Sequence, residues 1–186
     1  MFDPLEIALP EDDEMYQWHS AGFVRVLLER SRRRIHYWSP QWPTTRLVKS
    51  IHDHEFNFKS TVLLGTVRGN EYRVDIDPTG KHLLWRNDNF LGKCYLTKVR
   101  EYEVECGETY EFGGPHRYHD HNHGSEEVMT YMRETDHYFY NNCYVLEGEQ
   151  RLSPETRSEA QALGPSSREI HDEMLRVFSR VFTKAA

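Results

Sequence analysis

The sequence predicts a mostly β fold, a small barrel or sandwich, with helices flanking it at both ends of the chain. Short segments rich in β-branched and aromatic residues fill the middle of the chain, and turn-forming clusters such as DPTGK and CGE separate them. Roughly seven such segments at close spacing are typical of a barrel or sandwich. The predicted strand segments are 45–51, 58–67, 71–76, 82–86, 93–105, 126–133 and 138–146.

Helical patterns occur at the two ends. Residues 1–12 are predicted to form a loose arm, and residues 11–30 a helix, because their apolar residues recur at roughly helical spacing. Ser153-Pro154 is a helix start, and Ser166 with Glu169 forms a capping box before a last amphipathic helix that we expect to pack outside the barrel. The predicted organisation is an arm and helix over 1–44, a barrel over 45–150 and a helical extension over 151–186.

Composition and charge exclude several classes of protein. The 186 residues suit one domain with terminal additions, and 38% hydrophobic with 28% charged residues indicates a soluble globular chain. A formal net charge of −7 disfavours a nucleic-acid partner. The basic run Arg30–Arg34 is interpreted as the solvated end of the first helix, where cations suit the helix dipole.

The cysteines and the start of the chain predict a cytoplasmic location. Cys94, Cys106 and Cys143 are odd in number and widely spaced, unlike a secreted disulfide framework. The first residues, MFDPLEIALPEDDE, are acidic and lack the features of a signal peptide. We find no apolar run long enough for a membrane span and expect no membrane partner.

Two His-Asp-His triplets are the main candidates for chemistry. In a strand, residues two apart share a face, so His52 and His54 can converge on one ion while Asp53 points away. A third ligand must come from a distant segment. His116 is the preferred source, because the Gly113-Gly114-Pro115 bend would place it at a strand start facing the first pair.

The remaining histidines of HRYHDHNHG are interpreted as an exposed or rim loop. His119, His121 and His123 have few apolar neighbours and two turn formers beside them. His119 would replace His116 if the bend were shifted, and a second metal on His119 and His121 remains open. Glu55 is interpreted as a solvated residue, and the alternative is a fourth ligand or a base.

These segments resemble the two metal-binding motifs of the cupin superfamily over about Thr45 to Tyr131. The first motif, His-x-His followed at fixed spacing by Gly, matches His52, His54 and Gly65. The second matches less closely: Gly113 and His116 fit its Gly-x-x-His core, while Glu111 stands at its proline position and Asp120 at its asparagine position. The resemblance implies a cupin-type barrel, that is, a double-stranded β-helix or jelly roll.

One departure from the cupin pattern points to a particular branch. The glutamate ligand position falls on Phe58 or Lys59, so no carboxylate is supplied there. A three-histidine set of this kind is similar to that of the cysteine dioxygenase-like thiol dioxygenases, as are the local sequences SIHDH and GGPHR. That resemblance implies a mononuclear Fe(II) held by His52, His54 and His116, and neutral imidazoles would favour an anionic substrate group.

The resemblance does not extend to the substrate. Cysteine dioxygenase has a Ser-x-His-x-Tyr run after its third ligand, whereas VMTYMRE, residues 128–134, contains no histidine, and no cysteine follows His54. By position alone, Arg73, Arg117 and Arg133 are candidate carboxylate partners. Tyr72 and Tyr131 are candidate acids or hydrogen-bond donors.

The sequence thus supports one leading function and two rivals. The leading hypothesis is an Fe(II)-dependent oxygenase that oxidises a small polar molecule, a thiol or amino-acid derivative, with O2. An inner lining that includes Phe56, Phe58, Val62 and Leu64 would exclude water. The rivals are a metal-dependent isomerase, lyase or decarboxylase, in which another divalent ion acts as a Lewis acid, and a non-catalytic small-molecule-binding cupin. A homodimer is open.

Overall fold

Strands make up most of the regular structure of the chain. The computed structural model describes residues 7–19, 22–29, 32–42, 51–86, 89–121, 126–147 and 164–183. Within these ranges the elements are β1 Tyr16–His19, β2 Phe23–Glu29, β3 Arg33–Trp38, β4 Ile51–His52, β5 Phe56–Leu64, β6 Thr66–Ile76, β7 His82–Arg86, β8 Asn89–Glu105, β9 Thr109–Gly113, β10 Tyr118–His121, β11 Val128–His137, β12 Cys143–Glu147 and the helix α1 Ser167–Thr183. The predicted mostly β fold is confirmed.

The described strands form an open sheet and a closed barrel. The open sheet has the order β1-β2-β3-β11-β5-β9, and the barrel has the order β10-β4-β12-β7-β8-β6. All of the pairings are antiparallel. A cluster that includes Val62 and Val128 of the open sheet with Val67 and Val104 of the barrel joins the two parts.

The predicted N-terminal helix is wrong. A short 3₁₀ turn at Asp13–Met15 is followed by the strands β1 and β2. The apolar residues of this segment fit both the helical and the strand period, but over 16–19, 23–27 and 35–38 buried residues alternate with partly exposed ones, as in a strand with one covered face. The basic run therefore does not end a helix, because Arg33 and Arg34 lie in β3.

The predicted last helix is confirmed, together with its cap. The backbone amide and hydroxyl of Ser166 donate to Glu169 Oε2 at 2.9 and 2.7 Å, and the amide of Glu169 donates back to Ser166 Oγ at 3.3 Å. Three buried residues of α1 pack on one face of the open sheet, in a cluster with Tyr16, Trp18, Val24, Val26, Ile35 and Tyr37. The predicted helix start at Ser153-Pro154 lies outside the described residues.

The opposite faces of β4 and β10 serve different purposes. Ile51 and Tyr118 pack into the core of the closed barrel with Leu84, Cys94, Cys143 and Val145. Their neighbours His52 and His119 point the other way, towards the open sheet, because successive side chains alternate across a strand. No helix in the described part of the chain is long and apolar enough to cross a membrane.

Candidate metal centre

Three histidines from two distant segments meet between the open sheet and the barrel. One ring nitrogen from each of His52, His54 and His119 lies within 4.8 Å of the others. The Nε2 atoms of His54 and His119 are 2.9 Å apart. The ring centroids are 4.8 Å apart for His52 and His119 and 4.9 Å apart for His52 and His54. Such a set of nitrogen donors can hold a divalent transition-metal ion.

Strand pairing brings the three rings together. β10 runs antiparallel to β4, and His119 lies directly opposite His52 in the register. Residues opposite each other in an antiparallel pair share a face. His54 follows two residues after His52 and keeps the same face where the chain leaves β4.

His116, the preferred third ligand, is not part of this group; His119 takes that place. His116 lies in a tight turn with φ 67°, where its backbone amide donates to Asp53 Oδ2 at 2.9 Å. Its ring lies 5.3 Å from that of Tyr140, which packs against the barrel core. Nor do residues 119–121 form a rim loop: they lie in β10, and His119 is 1% exposed.

Aromatic side chains enclose two of the three imidazoles. Phe112 stacks on His119 with centroids 4.3 Å apart, and Phe56 and Phe58 lie 5.0 and 5.1 Å from His54. The placement of these two phenylalanines agrees with the predicted lining. Val62 belongs to the cluster between the two sheets, whereas Leu64 packs against the cluster under α1.

Burial keeps these imidazoles neutral. It lowers the pKa of His54 and of His119 well below the ordinary value for histidine, and the neighbouring imidazoles and arginines lower it further. A neutral imidazole keeps a nitrogen lone pair available for a metal ion. The donor set therefore fits a divalent metal in its chemistry and in its protonation state.

A tyrosine from the barrel contacts the far side of His119. The hydroxyl of Tyr102 lies 3.3 Å from His119 Nδ1, donates to the carbonyl oxygen of Asp120 at 3.2 Å, and lies 3.5 Å from His121 Nδ1. A contact at Nδ1 leaves Nε2 of His119 to face the other two histidines. Partners of this kind fix the orientation of metal-binding histidines. The sequence does not single out Tyr102, because nothing local distinguishes it from other strand tyrosines.

Asp53 fixes the backbone behind the histidines. It is fully buried, and its carboxylate accepts hydrogen bonds from the amide of Cys143 at 2.5 Å, the amide of His116 at 2.9 Å and the hydroxyl of Tyr140 at 2.7 Å. The residue between the two histidines thus ties β4 to β12 and to the turn before β10. The prediction that Asp53 points away from the ion agrees with this arrangement.

Among the five candidate substrate-binding or acid residues from the sequence, Arg117 lies near the group. Its Nε donates to Glu71 Oε1 at 3.0 Å, and its guanidinium lies 4.5 Å from the centroid of the Phe112 ring that stacks on His119. The Phe112 ring thus contacts both Arg117 and His119, and the charge of Arg117 helps to lower the pKa of His119.

The other four candidates lie elsewhere in the structure. Arg73 is exposed and pairs with Asp75 at 3.0 Å. The hydroxyl of Tyr72 donates to Asp120 Oδ2 at 2.9 Å, and its ring packs against the barrel core. Tyr131 packs on the face of the open sheet that α1 covers. Arg133 is exposed. The structure does not bring these four residues to the histidines.

Comparison with known proteins finds likeness in structure alone. No family model matches the sequence, and no curated protein is found to be similar. The Drosophila melanogaster CENP-C cupin domain is similar with a TM-score of 0.40 and 12% identity, over 70% of this chain and 83% of that chain. D. melanogaster CENP-C bound to CAL1 is similar with a TM-score of 0.39 and 10% identity, over 64% and 80%.

A third neighbour is an enzyme. Hydroquinone 1,2-dioxygenase PnpCD, in complex with Cd2+ and 4-hydroxybenzonitrile, is similar with a TM-score of 0.34 and 10% identity, over 62% of this chain and 58% of that chain. The neighbours thus include a cupin domain with no enzymatic activity in its name and a dioxygenase. At TM-scores below 0.5 they identify neither the family nor the activity of this chain.

Proposed function

We propose that the protein is a mononuclear non-haem iron oxygenase in which His52, His54 and His119 hold Fe(II). The observation that carries the proposal is the convergence of three imidazole nitrogens within 4.8 Å, in a group that contains no carboxylate. Imidazole ligands suit iron. Three protein ligands leave coordination positions for other molecules, and Fe(II) bound there would supply the activation of O2 for oxidation of a small polar substrate.

The surrounding residues prepare this site for such chemistry. Burial keeps His54 and His119 neutral, so they bind an ion without adding negative charge. Phe56, Phe58 and Phe112 place apolar rings against the imidazoles and exclude water from that side. Because the ligand set leaves the charge of a dication uncompensated, an anionic substrate group is favoured at the centre.

Metal analysis and oxygen uptake test the proposal together. The purified chain is loaded anaerobically with Fe(II) and desalted, its metal content is measured, and thiols, amino acids and organic acids are screened in an oxygen electrode. We expect about one iron per chain and substrate-dependent oxygen uptake. A His52→Ala/His54→Ala variant should show neither.

Two results would contradict the proposal in different ways. If the wild-type protein contained no more iron than the double variant, the three histidines would not form an iron site. Product formation at an unchanged rate without oxygen would instead show that the ion acts as a Lewis acid, as in an isomerase or lyase.

A further inference from the structure

The face of β1, β2 and β3 that turns away from α1 is unlike the rest of the open sheet. The α1 face of these strands is buried and apolar. On the other face the side chains are partly exposed, and aromatic and basic groups prevail. We call this set the basic aromatic face: Gln17, His19, Phe23, Arg25, Leu27, Arg34, His36 and Trp38.

The basic aromatic face continues to the candidate metal centre through ring contacts. Phe23 lies 5.0 Å from His36 and 5.2 Å from Trp38. Trp38 lies 5.7 Å from His121, and His121 lies 4.6 Å from His119. Aromatic rings thus lead without interruption from β2 to the three histidines. A planar ring that packs on Phe23 and Trp38 would lie next to the centre.

Two arginines give this face its charge. Arg25 Nη2 donates to Gln17 Oε1 at 2.7 Å, a neutral partner. Arg34 pairs with Glu134, and its guanidinium lies 5.1 Å from the Phe56 centroid. In the described part of the chain, the Nε atoms of both arginines are buried without a hydrogen-bond partner. These two N–H groups thus lack an acceptor among the described residues.

The two guanidinium groups also repel each other. Arg25 pairs with His36 across β2 and β3, and Leu27 pairs with Arg34, so the arginines are diagonal neighbours on one face. Burial lowers the pKa of Arg34 to about 10, and the charge of Arg25 contributes to that change. An anion between neighbouring cations relieves such repulsion.

We infer that the basic aromatic face binds the substrate and that the substrate is a small aromatic carboxylate. Its ring would pack on Phe23 and Trp38, and its carboxylate would accept hydrogen bonds from Arg25 and Arg34, whose planar guanidinium groups match a carboxylate. The inference rests on the proposed function for the substrate's role at the metal, but binding is measurable without metal. Contact with the metal centre through His121 favours a small substrate over an extended polyanion.

Calorimetry with simple probes tests the inference. Benzoate, cyclohexanecarboxylate and benzyl alcohol are titrated into metal-free and metal-loaded protein. They are also titrated into the variants Arg25→Gln, Arg25→Lys and Phe23→Leu. Arg176→Gln is the matched control, because Arg176 is a half-exposed arginine on α1 that pairs with Glu173. Thermal unfolding of each variant verifies that it is folded.

We expect metal-free protein to bind benzoate and to bind cyclohexanecarboxylate and benzyl alcohol more weakly. Affinity for benzoate should fall about tenfold or more in Arg25→Gln, less in Arg25→Lys, and stay unchanged in Arg176→Gln. Equal affinity of wild type and Arg25→Gln, or of benzoate and cyclohexanecarboxylate, would overturn the inference. If the chain binds no metal yet shows the expected pattern, the binding site stands and the oxygenase proposal fails.

Discussion

The Nε2 atoms of His54 and His119 lie 2.9 Å apart, although 65 positions separate the two residues in the chain. In the absence of an ion, two neutral imidazoles at this distance form a hydrogen bond in which one ring donates and the other accepts. Two nitrogens that each lie about 2.1 Å from one shared ion are also roughly 3 Å apart. The spacing therefore suits a shared metal ion as well as a hydrogen bond. Metal binding by histidine variants distinguishes these two explanations.

Replacing His119 by alanine should abolish metal binding, whereas replacing His116 should leave it intact. His119 supplies one of three donor nitrogens, and His116 lies in the turn outside the group. Metal content after loading with Fe(II) or Zn2+ is the measurement, and His116→Ala is the matched control. If His116→Ala lost the metal and His119→Ala kept it, the ligands would be His52, His54 and His116, as expected from the sequence.

The sequence indicates the pair His52 and His54, but it does not show which histidine joins them in the three-histidine group. Spacing by two is enough to place His52 and His54 on one face of a strand. Choosing between His116 and His119 requires the position at which β10 begins, three residues beyond the Gly113-Gly114-Pro115 bend. The sequence Tyr118-His119-Asp120-His121 does contain a signal, because its two histidines occupy alternate positions, as side chains on one face of a strand do.

A sequence interpretation that makes β1 and β2 a helix cannot predict the basic aromatic face. In FVRVLLE the apolar residues are dense enough to fit both the helical and the strand period. The alternation that indicates a strand covers only Val24, Arg25 and Val26. Tertiary pairing decides in favour of strands: β2 lies between β1 and β3. Local patterns do not report such long-range pairing.

Removing the hydroxyl of Tyr102 should weaken metal binding without unfolding the protein. Tyr102→Phe keeps the buried ring and loses the contact to His119 Nδ1 at 3.3 Å. Loss of such a partner typically weakens metal affinity roughly 10–100-fold. Competition with a chelator measures the affinity. Tyr95→Phe, at a hydroxyl that contacts Thr79, is the control and should bind metal as wild type does.

Replacing Asp53 should destabilise the fold more than replacing a surface aspartate. Asp53→Ala would leave the amides of Cys143 and His116 and the hydroxyl of Tyr140 without their acceptor. We expect a loss of roughly 3–5 kcal/mol in the free energy of unfolding, measured in urea. Asp75→Ala, at an exposed ion pair with Arg73, should change it by less than about 0.5 kcal/mol. Similar losses in both variants would contradict the role given to Asp53.

Gly65 has a steric reason to be glycine. Its φ is +71°, and a Cβ built there would lie 2.2 Å from the carbonyl oxygen of Glu127. Gly65→Ala should therefore lower the free energy of unfolding by about 2–4 kcal/mol. Gly107 has φ +90° with nothing within 4 Å of its Cβ position, so Gly107→Ala carries backbone strain alone and should cost about 1 kcal/mol. Equal losses of unfolding free energy in Gly65→Ala and Gly107→Ala would show that the contact with Glu127 does not contribute.

The metal-free protein should lose stability as the pH falls below about 6.5. Burial lowers the pKa of His36, His54 and His119 in the folded state, so the unfolded chain takes up protons first as acid is added. Stability is then complete above the unfolded pKa of about 6.5 and decreases below it, by up to about 1.4 kcal/mol per pH unit for each histidine. Urea titrations between about pH 7.5 and 5.5 measure the slope. His36→Gln removes one of the three groups and should reduce that slope by up to a third. A slope unchanged by the substitution would mean that His36 is as readily protonated in the folded chain as in the unfolded one.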